Sequence, residues 1–107
     1  MSTRTVITLP PVLRAGEPFE VQVLIAHPME TGHRRDADGR LLPRDIVRRF
    51  SCSWNGERII AVELFPAIAA NPYLEFSAWA LDSGTLDFVW EGDHGFQHRE
   101  QRTISVA

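Results

Sequence analysis

Apolar and polar residues alternate along most of this chain. In EPFEVQVLIA, residues 17–26, Phe19, Val21, Val23 and Ile25 share one face, and Glu20 and Gln22 fall on the other. Successive side chains of a strand point to opposite sides, so period two marks a strand with one buried face. Residues 46–54 place Phe50, Cys52 and Trp54 together, and residues 57–64 offer Ile60, Val62 and Leu64. Between these two runs stands Asn55-Gly56, the pair that a two-residue hairpin turn prefers. Residues 73–80 alternate less cleanly, with Leu74, Phe76 and Ala78 set against Glu75 and Ser77. Residues 85–91 align Leu86, Phe88 and Trp90, and residues 97–106 end on Ile104 and Val106. The β-branched run from Arg4 to Leu9 reads as an edge strand. No segment carries a 3.6-residue stripe of helical length.

The pattern predicts an all-β chain of about seven short antiparallel strands, the arithmetic of an immunoglobulin-like β-sandwich. A small closed barrel is the alternative. Residues 1–107 read as a single domain, with no internal repeat or Gly/Ser linker. Two segments break the rhythm. HPMETGHRRDADGRLLPRD, from His27 to Asp45, predicts a long irregular loop, and such loops inside a domain are usually functional or disordered. FPAIAANP, from Phe65 to Pro72, has two prolines that interrupt a strand and predicts a crossing between sheets.

Composition narrows the function. With 44% hydrophobic and 23% charged residues the chain has the makings of a folded core. A net charge of −3 disfavours a general grip on nucleic acid. No apolar run approaches the roughly 18 residues of a membrane span, so membrane insertion is not expected. The N-terminus shows no secretory signal, and on that ground alone the chain reads as cytoplasmic. All eleven basic residues are arginines, which favours planar, bidentate recognition of carboxylates and other anions.

Each candidate chemistry has a plain structural counterpart. Arg34, Arg35, Arg40, Arg44, Arg48 and Arg49 fall within sixteen residues, interleaved with Asp36, Asp38 and Asp45. They read either as a surface for an anionic group or acidic partner segment, or as a solvated loop whose charges pair locally. Arg48 is in phase with Phe50 and Cys52, which places it at a sheet end or an interface. His27, His33, His94 and His98 could in principle build a zinc site, but their spacing matches no zinc signature; surface or hydrogen-bonded histidines are the simpler reading. Cys52, the single cysteine, excludes an intrachain disulfide and sits mid-strand, where a thiol is a small buried hydrophobe rather than a nucleophile. The turn His27–Gly32, HPMETG, leaves a strand directly and is shaped to present Met29 and Glu30.

HPMETG, followed by HRRDADGRLLPRDIVRRF and then PAIAANPYLEF, resembles the SoxZ family, the smaller subunit of the SoxYZ carrier of the sulfur-oxidising Sox system. The likeness extends over nearly the whole chain, from AGEPFEVQVLIAHPMETG through SGTLDFVWEGDHG to ISVA. It implies an immunoglobulin-like sandwich that binds and stabilises SoxY, whose cysteine arm carries sulfur intermediates of thiosulfate oxidation. It also implies transient docking on other Sox enzymes, no catalytic residue, no cofactor, and a periplasmic location reached as a passenger on SoxY's export signal. Two other readings stay open: a SoxZ-like carrier module of another periplasmic oxidation pathway, and a metal-binding sandwich using the four histidines. An obligate partner surface needs exposed apolar and arginine anchors. The candidates are Met29, Glu30, Arg34, Arg35, Arg48, Phe65, Pro66, Ile68, Tyr73 and Trp79. Trp79 faces outward if Ala78 faces the core; packing on the other side of a twisted sheet is the alternative.

Overall fold

In the computed structural model, which describes residues 4–65, 68 and 70–107, the alternating runs become seven strands in two antiparallel sheets. The strands are β1 (Thr5–Thr8), β2 (Phe19–Ile25), β3 (Val47–Trp54), β4 (Glu57–Glu63), β5 (Tyr73–Ala78), β6 (Gly84–Gly92) and β7 (Gln97–Ile104). One sheet runs β1-β2-β5 and the other β4-β3-β6-β7. This is the immunoglobulin-like sandwich that the alternation predicts, not the closed barrel. Pro66 and its neighbours Ala67 and Ala69 lie outside the described residues. The connection from β4 to β5 does pass from one sheet to the other.

The inward positions are the ones period two assigns. Val21, Val23 and Ile25 of β2 are fully buried, as are Phe50 and Cys52 of β3 and Leu86, Phe88 and Trp90 of β6. Phe50 bridges the layers. Its ring lies 5.1 Å from Trp90 and 6.4 Å from Phe88 in its own sheet, and 6.1 Å from Phe76 of the facing sheet. Offset and tilted contacts of this kind add to the burial of large rings. Asn55 and Gly56 take the left-handed backbone (φ 47° and 87°) that a type I′ hairpin demands, which joins β3 to β4 tightly.

The segment from His27 to Asp45 is the long loop expected, with no strand between Ile25 and Val47. It is not shapeless, however: isolated bridges fold it back on itself as a narrow ribbon. Glu30 and Asp45 exchange two backbone hydrogen bonds of 2.8 Å. Further out, the Leu42 N–H donates to the Arg34 carbonyl at 2.8 Å and the Asp36 N–H to the Arg40 carbonyl at 2.9 Å. The Asp36 carboxylate closes the tip by accepting from the Asp38 and Arg40 N–H groups, and Gly39 takes φ 81°. Residues 33–41 are exposed throughout, so the ribbon stands off the sheets.

The base of the ribbon meets the turn between β6 and β7 at Gly92. A Cβ on Gly92 would lie 2.5 Å from the Ile46 carbonyl oxygen and 3.1 Å from the Val47 Cα. Backbone cannot yield there as a side-chain tip can. Gly92→Ala is therefore expected to lower the unfolding free energy by about 2–4 kcal/mol. Gly95→Ala, at φ 73° but with nothing within 4 Å of its Cβ, should cost only about 1 kcal/mol. Urea unfolding of both variants checks the difference.

Candidate functional site

Two stacked sheets leave two open sides, and this chain treats them differently. On the side of β1 and β7 the inward positions of β7 are His98, Glu100 and Arg102, opposite Trp90, Phe88 and Leu86 of β6. These polar side chains form a half-buried chain. His98 Nε2 lies 3.0 Å from Glu100, Arg102 lies 3.3 Å from the same carboxylate, and the Thr5 hydroxyl of β1 donates to it at 3.1 Å. The His98 contact is the main reason that the Glu100 carboxyl is held below the usual range. Beyond β1 the chain crosses to pair Leu13 with Val106, and the Ala107 N–H donates to the Leu13 carbonyl at 2.9 Å. Inward charges, a short edge strand and a covering segment are the devices by which natural sheets blunt their edges.

Among the described residues the side of β4 and β5 has none of these. An open cleft of about 280 Å³ enters the sandwich between the two edge strands, lined by Trp54, Ile59, Phe76, Trp79 and Leu86 among others. At the cleft and elsewhere along these two strands and the residues that follow them, large apolar side chains face solvent. Trp79 is 68% exposed, Leu81 72%, Phe65 59% and Tyr73 51%. On β5 the alternation simply continues past the ladder: Leu74, Phe76, Ala78 and Ala80 turn inward, Tyr73, Trp79 and Leu81 outward. Trp79 is thus outward, and the alternative of core packing is set aside. Several large apolar side chains exposed along one side of a domain mark an interaction site.

The candidate residues divide between this side and the ribbon. Phe65, Ile68, Tyr73 and Trp79 are exposed near the two edge strands, whereas Pro66 lies outside the described residues. Ile59 and Leu81 join them and were not singled out by the alternation. The adjacent pair Ile59-Ile60 is the signal that could have found Ile59, since two consecutive strand residues cannot both face inward. Here a shift of register between Cys52 and Ser53 leaves Ile59 unpaired and turned to solvent. Met29 is a correction. It is buried, and its sulfur accepts the Val47 N–H at 3.3 Å, so the turn does not present it outward. Its φ of 52° bends the chain there and swings the thioether under the start of β3.

The arginines follow the local-pairing reading in part. Arg34 reaches Glu30 at 2.6 Å, and Arg35 donates to the Gly39 carbonyl at 2.7 Å. Arg44 grips Asp93 with two hydrogen bonds of 2.8 Å, and Arg48 approaches the same carboxylate at 3.4 Å. The Arg44 bonds are the first cause holding the Asp93 carboxyl below its usual range. Arg48 is exposed, because the ladder shifts register between Val47 and Arg49 and takes it out of phase with Phe50.

The histidines are held in separate contacts. His27 is buried, with its Nδ1 accepting the Met29 N–H at 3.0 Å and its ring edge-on to Phe96 at 5.1 Å. His94 Nε2 contacts the Arg44 carbonyl, His98 contacts Glu100, and His33 is exposed on the ribbon. Among the described residues no three His, Cys, Asp or Glu side chains are grouped as metal ligands. The Cys52 thiol is fully buried, and burial together with the nearby Asp87 pushes it up to about 12, where a thiolate nucleophile does not form at neutral pH.

This is a β-sandwich whose distinctive feature among the described residues is a bare apolar side. The sequence model of the family described as sulphur oxidation protein SoxZ matches residues 7–103, and the chain belongs to that family. No curated protein sequence matches it. Solved structures share its fold. The sulfur carrier protein SoxY from Chlorobium limicola f thiosulfatophilum is 15% identical, with a TM-score of 0.68 over 96% of this chain and 78% of that one. The superoxide reductase (neelaredoxin) from Ignicoccus hospitalis is 20% identical, with a TM-score of 0.73 over 98% of this chain and 82% of that one. At such identities the likeness is one of fold.

His27 gives the fold a pH signature. Burial holds its pKa below the ordinary 6.5, against the nearby Asp45 and Asp93 carboxylates that raise it. The unfolded chain therefore takes up a proton that the folded chain refuses. Stability is full above pH 6.5 and declines as the pH falls from there toward the lower folded value. His27→Asn keeps an acceptor near the Met29 N–H and cannot titrate. Urea midpoints between neutral pH and the onset of carboxylate titration should fall in the native chain and flatten in the variant.

Proposed function

We propose that this chain is the non-catalytic subunit of a SoxYZ-type sulfur carrier. In this reading it binds and stabilises SoxY, whose cysteine arm carries covalently bound sulfur species, and it helps form the surface on which other Sox enzymes dock. The family match over residues 7–103 carries the reading. The structure supports it in two ways. Large apolar side chains gather on one open side, as an obligate partner surface requires, and the one thiol is buried and unsuited to shuttling between enzymes. A carrier thiol has to be exposed and mobile to visit several active sites, so the carrying cysteine belongs to the partner. The proposal includes a periplasmic location, reached by export together with SoxY.

Phe65, Ile68, Tyr73 and Trp79 are the proposed anchors on SoxY, with Ile59 and Leu81 beside them. Trp79 is the largest of these and projects from an edge strand, so truncating it removes contact area without opening the core. Trp79→Ala should weaken binding to the cognate SoxY by about 2 kcal/mol, roughly thirtyfold, and leave the thermal midpoint of the isolated chain nearly unchanged. Co-expression followed by calorimetry measures the first quantity. Intact mass after thiosulfate exposure in the full system should place sulfur adducts on SoxY alone; an adduct on Cys52 or the absence of a complex contradicts the proposed role.

A further inference from the structure

The unguarded side has a charge as well as an apolar surface. Strands β4 and β5, ERIIAVE and YLEFSA, hold Glu57, Glu63 and Glu75 against one basic residue, Arg58. Glu20 of β2 lies on the same outer face, since Glu20 pairs with Ser77 and Gln22 with Glu75. The Glu20 and Glu75 carboxyls meet, and the Tyr73 hydroxyl donates to Glu75 at 3.1 Å. Glu75 is thereby held below the usual range, and Glu20 is raised above it by its neighbour. Both are exposed, and Tyr73 and Trp79 stand on the same outer face. Glu63 faces Arg49 across the β3–β4 ladder, so the acidic rim beside the apolar cleft is the Glu20–Glu75 pair.

That charge argues against a second copy as the occupant. Pairing β4 with itself along its full length sets Glu57 opposite Glu63 at both ends, and pairing residues 73–77 of β5 with themselves sets Glu75 against its own copy. Like charges directly opposite destabilise a strand pair. Opposite charge is what this rim accepts.

We infer that the occupant is a protein surface that sends a large apolar side chain into the cleft between β4 and β5 and brings arginine or lysine side chains to Glu20 and Glu75. The inference rests on the reading that SoxY is the partner, and it specifies the chemistry SoxY has to present. A cation seated between the two carboxylates relieves their repulsion and lies beside the Tyr73 ring, whose hydroxyl already reaches Glu75. Rim charges of this sort act mainly through encounter rate and salt dependence, while the buried anchor governs dissociation.

The test measures affinity for the cognate SoxY at low and moderate ionic strength. Three variants suffice: the double variant Glu20→Gln/Glu75→Gln, Glu75→Arg, and Ile59→Asp at the cleft mouth. All three positions are exposed, and thermal unfolding confirms that each variant folds. The double Gln variant should bind about tenfold more weakly at low salt, with a flatter salt dependence. Glu75→Arg should bind more weakly still, and Ile59→Asp should lose about a hundredfold at every salt concentration. Unchanged or tighter binding by the two glutamate variants overturns the basic rim, and unchanged binding by Ile59→Asp overturns the cleft anchor. A native chain that fails to bind SoxY overturns the proposed function itself, and this occupant falls with it.

Discussion

Two sheets stacked without closing leave four strand edges whose backbone groups have no partner, and the whole molecule is arranged around what covers them. Along β1 and β7 the chain covers itself. Glu100, reached by His98, Arg102 and Thr5, fills the gap between the layers with charge, and the segment from Leu13 seals the end against Val106. Along β4 and β5 it leaves a cleft, three aromatic side chains and several aliphatic ones in solvent. Such exposure is a liability in a solitary protein and an asset in a subunit. The asymmetry links the packing of the core to the proposed role in a complex.

The core itself is ordinary and firm. Phe50 joins the sheets through Phe76, Phe88 and Trp90, and truncating a ring of this kind costs about 3–5 kcal/mol in comparable cores. At one end of the sandwich His27, Met29 and Asp93 tie the ribbon to the sheets. His27 receives the Met29 N–H, Met29 receives the Val47 N–H, and Asp93 receives Arg44, Arg48 and the Ile46 N–H. The HPMETG turn is therefore spent on anchoring the ribbon, not on presenting side chains.

Strands were easily legible because period two is a local signal that the core enforces. Ranges read as 46–54 and 57–64 settle at Val47–Trp54 and Glu57–Glu63, with the Asn55-Gly56 turn where its backbone preference puts it. The folding back of the loop into a ribbon was not legible, because its outer arms are exposed and polar and so lack any alternation. Its signal was Asp36-Ala37-Asp38-Gly39, an acceptor followed by a residue free to turn left-handed. Met29 misled because hydrophobic character does not say which side of a turn a residue takes. Trp79 was legible only as a phase relation to Ala78. The acidic rim was invisible, since Glu20 and Glu75 are far apart in sequence and meet only through the β2–β5 register.

The central claim is that the side of β4 and β5 is left bare for a partner while the side of β1 and β7 is sealed by the chain itself. Hydrogen exchange of the chain, alone and with its cognate SoxY, measures this directly. The account predicts new protection at Ile59–Glu63 and Tyr73–Leu81 on complex formation, with Gln97–Ile104 unchanged. Protection confined to β7 and the Leu13 segment, with β4 and β5 still exchanging as in the free chain, would contradict it.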